Sequence, residues 1–123
     1  MKKTAKRIGL GIIGGGRVGL FRGEVAARHP AVEWIGLAEK NPNRGGEVGP
    51  RIGADFVTTD YHELLRRPEV NAVIIATDEH LHVGPIMAAV ERGLPMLIEK
   101  PLATDLAESA RVVKAIKDAG IDA

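Results

Sequence analysis

No cysteine occurs in the 123 residues, which excludes disulfides, zinc–thiolate sites and cysteine nucleophiles. Aromatic residues make up only 3% of a chain that is 45% hydrophobic, so the core must be packed from aliphatic side chains. Neither sign of charge prevails: 17 Lys and Arg against 16 Asp and Glu leave a formal net charge of +1. That balance gives no electrostatic reason to expect nucleic acid as a partner. No apolar run approaches the ~18 residues of a membrane span, so no membrane partner is expected either. The basic start, Met1-Lys2-Lys3-Thr4-Ala5-Lys6, looks like the head of a secretory leader. The apolar run behind it is short, interrupted by glycine and broken by Arg17 and Arg22, and no small-residue cleavage site closes it. A solvated basic tail on a cytoplasmic protein is the expectation. The length fits one domain, residues 1–123, able to bury roughly two-thirds of its unfolded surface.

Glycine, by contrast, is plentiful, with 15 residues. Gly14, Gly16 and Gly19 stand at G-x-G-x-x-G spacing directly after the apolar run ending Ile12-Ile13. Val18, Phe21 and Val25, at i, i+3 and i+7, predict one face of a following helix. Strand, glycine turn and helix in that order form a dinucleotide-binding fingerprint. The first glycine permits the tight turn, the second lets a pyrophosphate approach the backbone, and the third lets helix and strand pack closely. Arg17 and Val18 open the helix whose N-terminus would meet the negative charge. So many glycines make the spacing common, and its context has to decide.

Further along, Val32 to Ala38 reads as a second buried strand ending at Glu39. Arg44 to Ala54 holds a helix position but contains four glycines and Pro50, which predicts a short, distorted or loop-like segment. Asp55 to Thr58 is a third strand, and Asp60 with Glu63 forms a capping-box pattern ahead of a helix from Tyr61 to Arg67. Asn71 to Thr77 is an almost unbroken apolar strand, as expected where both sheet faces are covered. Val83, Ile86, Met87 and Val90 mark a helix stopped by Gly93. Pro95 to Ile98 is a fifth strand. The last helix is capped by Thr104 or Asp105, carries Leu106, Ala110, Val113 and Ile116 on one face, and ends at Gly120. This alternation predicts an α/β fold with a three-layer, doubly wound parallel sheet, cut off before a sixth strand.

In such sheets a ligand sits beyond the C-terminal ends of the strands, at the switch in strand order. Glu39, twenty residues after Gly19, is placed to accept hydrogen bonds from an adenosine ribose and to repel a 2′-phosphate. This favours NAD, with NADP possible because Lys40 and Arg44 stand close enough to receive that phosphate. Thr77-Asp78-Glu79-His80-Leu81-His82 leaves the fourth strand at a helix N-terminus with free backbone N–H groups. His80 and His82 do not face one another on a helix and lack a third ligand, so no metal is expected. Glu99-Lys100-Pro101 ends the fifth strand, where packing alone poorly explains a charged pair. Pro101 restricts Lys100 to an extended shape.

Together these features resemble the N-terminal domain of the glucose–fructose oxidoreductase, inositol dehydrogenase and rhizopine-catabolism oxidoreductase family (Gfo/Idh/MocA), over residues 7–120. The most specific element is Glu99-Lys100-Pro101-Leu102-Ala103, downstream of the strand Ala72 to Thr77 and of His82. The resemblance implies that Lys100 is catalytic, pointing toward nicotinamide and substrate. It implies that Glu99 helps position the cofactor and that His82 is the family's turn histidine, with Ala76, Thr77 and Glu79 in the cofactor-binding turn. Asp78 departs from the family's usual proline, and Glu79 stands where a neutral amide is common, so two carboxylates lie close to the expected pyrophosphate.

Hydride transfer between a nicotinamide and a sugar, polyol or related hydroxy compound is the activity the resemblance implies for a full-length parent. Family members continue into a second domain that supplies most of the substrate pocket. The chain therefore reads as a fragment, expected to bind dinucleotide weakly, to be inactive alone, and to form homo-oligomers through an unpaired sheet edge and an exposed apolar face. A dinucleotide-sensing regulatory module and a methyltransferase on a similar sheet are the alternatives.

Overall fold

The computed structural model describes residues 7–78, 81–99 and 105–123. The expectations for the basic tail, Glu79, His80, Lys100, Pro101 and Thr104 lie outside these residues. The elements run β1 (Ile8–Ile13), α1 (Arg17–Ala27), β2 (Val32–Ala38), α2 (Pro42–Arg51), β3 (Phe56–Thr58), α3 (Tyr61–Leu65), β4 (Ala72–Ile75), α4 (Val83–Glu91), β5 (Met96–Ile98) and α5 (Leu106–Ala119). The five strands form one sheet in the order β3-β2-β1-β4-β5, every pair parallel. The order reverses between β1 and β4, which places the switch point where Ile13 and Ile75 end in register.

Alternation along β1 divides the core. Leu10 and Ile12 join Ile35, Leu37, Val48, Ile52 and Ile74 on the side covered by α1 and α2. Ile13 joins Leu64, Ile75, Ile86, Ala89 and Val112 on the side covered by α3, α4 and α5. Gly11 and Gly36 are paired in register, and Leu64 of α3 fills the space their missing side chains leave.

Three expectations change. α2 is a full helix of 10 residues, not a distorted segment. The Asn41 side chain accepts hydrogen bonds from the Asn43 and Arg44 N–H groups, and Pro42 occupies the first turn. Gly45 and Gly49 are there for contact: Val57 of β3 lies against both, 2.8 Å from where a Gly49 Cβ would stand. Packing of Val48 and Ile52 against the sheet outweighs poor intrinsic propensity.

The face Val18–Phe21–Val25 of α1 exists but is turned to solvent, with Phe21 59% exposed. Gly19 and Gly23 are the buried residues, because α1 lies so close to the Gly14 carbonyl and to Ile52 that a Cβ would collide. In α5 the expected face is only partly right: Ile116 packs on the core, but Val112 is the buried residue, whereas Leu106 is 86% exposed and Val113 is also exposed. Asp105 caps α5 through Glu108 N–H, and Gly120 closes it at φ +66°.

Smaller differences are of extent. α3 stops at Leu65, and its cap is half the predicted box: Asp60 accepts from His62 N–H, while the Asp60 N–H donates to Thr58 Oγ1 and not to Glu63. The strand expected from Asn71 begins at Ala72; Asn71 still donates its backbone N–H to the Gly9 carbonyl, and its side-chain amide also accepts from Gly9 N–H and donates to the Arg7 carbonyl.

Candidate functional site

The glycine turn is built as its spacing implies. Gly14 adopts φ +104°, and its N–H donates to the Ala38 carbonyl at 2.8 Å. Gly16 precedes α1, and no described residue comes within 4 Å of where a Cβ would stand. The first helical hydrogen bond runs from Leu20 N–H to the Gly16 carbonyl, so the N–H groups of Arg17, Val18 and Gly19 precede it. Among the described residues no side chain caps this N-terminus, and no acidic residue stands in the first turn. The result is an open, uncapped helix end beside a glycine with free space, a ready place for an anion.

Glu39 completes one wall. Its Oε1 accepts from Gly15 N–H and its Oε2 from Asn41 N–H, each at 2.8 Å, so the carboxylate is fixed against the glycine turn. Arg44 reaches back from α2 and donates through Nε to the Gly15 carbonyl at 2.6 Å. Lys40, exposed at the mouth, lines the same cavity.

That cavity, about 600 Å³, opens over the C-terminal ends of β1, β2 and β4. Gly14, Gly16, Glu39 and Lys40 form one side; Ala76, Thr77 and Asp78 form the floor of the other. Thr59, Asp60 and Tyr61 from the start of α3, with Leu81, Gly84 and Pro85 from α4, close the far end. Leu81 belongs to the turn already singled out in the sequence, whereas Thr59, Tyr61, Gly84 and Pro85 are not foreseen as lining and Asp60 is foreseen only as a cap; only a prediction that β3 lies next to β2 would bring in Thr59 to Tyr61.

His82 is placed differently from Glu39. It is 1% exposed and does not line the cavity; its Nε2–H donates to the Thr77 carbonyl at 2.8 Å, bracing the turn from behind. His82 Nδ1 and Thr77 Oγ1 are buried, and neither has a partner among the described residues. Replacing His82 by phenylalanine keeps a ring but leaves the Thr77 carbonyl unpaired. We expect a loss of about 1–3 kcal/mol in stability, read as a lower denaturant midpoint at unchanged slope.

Glu99 also lies away from the cavity, salt-bridged to Arg22 of α1. Among the described residues no group of three His, Cys, Asp or Glu side chains could hold a metal ion. No helix among them is long and apolar enough to cross a membrane.

Residues 8–121 match the oxidoreductase family with an NAD-binding Rossmann fold, Gfo/Idh/MocA. The chain belongs to this family. It is 33% identical to levoglucosan dehydrogenase of Pseudarthrobacter phenanthrenivorans, over 94% of this chain and 32% of that protein. It is 34% identical to inositol 2-dehydrogenase of Rubrobacter xylanophilus, over 92% of this chain and 32% of that protein. Among solved structures, levoglucosan dehydrogenase in complex with NADH and L-sorbose superposes with a TM-score of 0.87 at 32% identity, over 95% of this chain and 34% of that one. KijD10, a 3-ketoreductase from Actinomadura kijaniata in complex with NADP, superposes with a TM-score of 0.82 at 29% identity, over 94% and 37%. The chain thus spans about a third of the length of the relatives it matches.

Proposed function

We propose that this chain is the nucleotide-binding domain of an oxidoreductase that moves hydride between a nicotinamide dinucleotide and a sugar, polyol or related hydroxy compound. The observation that carries the reading is one juxtaposition. The uncapped N-terminus of α1, the open space over Gly16 and the fixed Glu39 carboxylate share a cavity at the switch point. An anionic pyrophosphate fits the first two, and a ribose diol fits the third. Dehydrogenases on sugar-like substrates among the relatives support the substrate class.

In this reading Gly14, Gly16, Arg17 and Val18 hold the pyrophosphate through backbone N–H groups. Glu39 takes the adenosine ribose, Lys40 and Arg44 flank it, and Ala76 and Thr77 form the opposite wall. His82 keeps that wall in place by fixing the Thr77 carbonyl. Glu99 orients the cofactor's far end, and Glu79 is a further cofactor-binding residue in this reading. Lys100 polarises the substrate oxygen and relays its proton, an electrostatic and general acid–base role. Once bound, the nicotinamide supplies the redox chemistry. NAD is favoured over NADP because Glu39 faces the 2′-position. The exposed flank of α1, Val18, Phe21 and Val25, supports association of copies of the chain.

Calorimetric titration with NADH, NADPH and S-adenosylmethionine tests the reading. Saturable binding ranked NADH, then NADPH, with no response to S-adenosylmethionine is expected. Preference for S-adenosylmethionine would overturn it.

A further inference from the structure

The contact that joins α1 to the end of β5 lies outside the cavity and involves a residue the glycine fingerprint does not contain. Arg22 donates through Nε to Glu99 Oε1 at 2.7 Å, across 77 residues of sequence. The pair is partly sheltered, with side-chain exposures of 40% and 22%.

Strand alternation explains why these two meet. Met96 is buried with the cluster under α4 and α5, and Ile98 packs on that same cluster. Leu97 therefore faces the opposite side, the side of α1, where it is exposed. Glu99 follows with the same parity as Leu97. Its backbone still belongs to the sheet, because its N–H donates to the Ile75 carbonyl at 3.0 Å. Arg22, five residues into α1, projects from the helix onto that side. One helix thus offers the glycine turn at its N-terminus and, about 7.5 Å further along, a cation that grips the end of β5.

The topology says which half of a ligand this concerns. Glu39 ends β2, on one side of β1, and Glu99 follows β5, beyond β4 on the other. A dinucleotide lying across the switch point with its adenosine over β2 carries its nicotinamide half over β4 and β5. The C-terminal edge of the sheet as a whole already holds the carboxylates of Glu39, Asp60 and Asp78 around the cavity. Another uncompensated carboxylate facing a dianionic pyrophosphate would be repelled.

We propose that Arg22 is a positioning residue for the nicotinamide half: it cancels the charge of Glu99 and orients its carboxylate. With Oε1 held by Arg22, the carboxylate is oriented to accept through Oε2 from the nicotinamide ribose or carboxamide. The inference rests on the dinucleotide reading above, and its test separates the two.

The test is titration of the chain and of its Arg22→Gln and Arg22→Lys variants with NADH and with ADP-ribose, which lacks the nicotinamide. Arg22→Gln is expected to weaken NADH about fivefold to tenfold, the worth of one half-exposed charge-assisted hydrogen bond, and to leave ADP-ribose within about twofold. Arg22→Lys is expected to recover most of the loss. Equal weakening of both ligands assigns Arg22 a merely structural role and overturns the proposal, as does no weakening of NADH. A native chain that binds neither ligand overturns the dinucleotide reading itself, and the proposal with it.

Discussion

Gly14→Ala is expected to strip the domain of a large share of its stability, whereas Gly16→Ala is expected to leave it as stable as before but a much weaker dinucleotide binder. The two glycines are two residues apart in one turn, yet they are there for different reasons. Gly14 sits at φ +104°, and a Cβ there would lie 2.6 Å from the Ala76 carbonyl group and the Thr77 nitrogen. Those are backbone atoms at the end of a central strand, with no flexible side chain to swing aside. Strained backbone and overpacking together cost about 3–5 kcal/mol, a large share of the ~5–15 kcal/mol that holds a domain together. Gly16 has φ −74° and ψ −166°, which alanine adopts freely, and no atom of the described residues lies within 4 Å of where an alanine methyl would stand. Its stability change is expected to stay within about 0.5 kcal/mol. The methyl would occupy the space through which a phosphate oxygen comes within hydrogen-bonding distance of the α1 N-terminus. Dinucleotide affinity should fall about a hundredfold, with the thermal midpoint unmoved. Thermal unfolding and titration on both variants check the pair.

Glu39→Ala is expected to lower NADH affinity about tenfold to a hundredfold and to remove the preference for NADH over NADPH. Both carboxylate oxygens are already aimed by Gly15 and Asn41 N–H groups, and each keeps a further lone pair for a ribose hydroxyl. Hydrogen bonds to a charged acceptor are worth about 1.5–3 kcal/mol, which sets the expected loss. The same charge repels a 2′-phosphate. Without it, Lys40 and Arg44 supply compensating cations, Arg44 being anchored by its bond to the Gly15 carbonyl. Glu39→Gln keeps the shape and loses the charge. It should retain more NADH affinity than alanine while admitting NADPH. Competitive titration with the two cofactors gives both numbers.

The parallel sheet, the glycine turn and Glu39 are legible in the sequence because each depends on local pattern: buried runs, a fixed spacing and an acidic strand end. The faces of α1 and α5 mislead for a common reason. Apolar spacing names a face but not its direction, and in α1 the sheet is met by Gly19 and Gly23, which carry no hydrophobic signal. α2 is underestimated because Gly45 and Gly49 weaken a helix in isolation and strengthen it beside Val57. Arg22 is invisible as a partner of Glu99, since nothing local to either residue announces a contact between the middle of one helix and the end of a distant strand. His82 stands out beside the site, but its burial behind Thr77 depends on how the turn folds back.

A nicotinamide dinucleotide lying across the β1–β4 switch, with its pyrophosphate on α1, should be visible residue by residue in amide chemical shifts during titration with NADH. The largest shifts are predicted at Gly16, Arg17, Val18 and Asn41, with a smaller set at Thr77 and Asp78. Shifts confined to the outer face of α5, or none at saturating NADH, would rule out this placement.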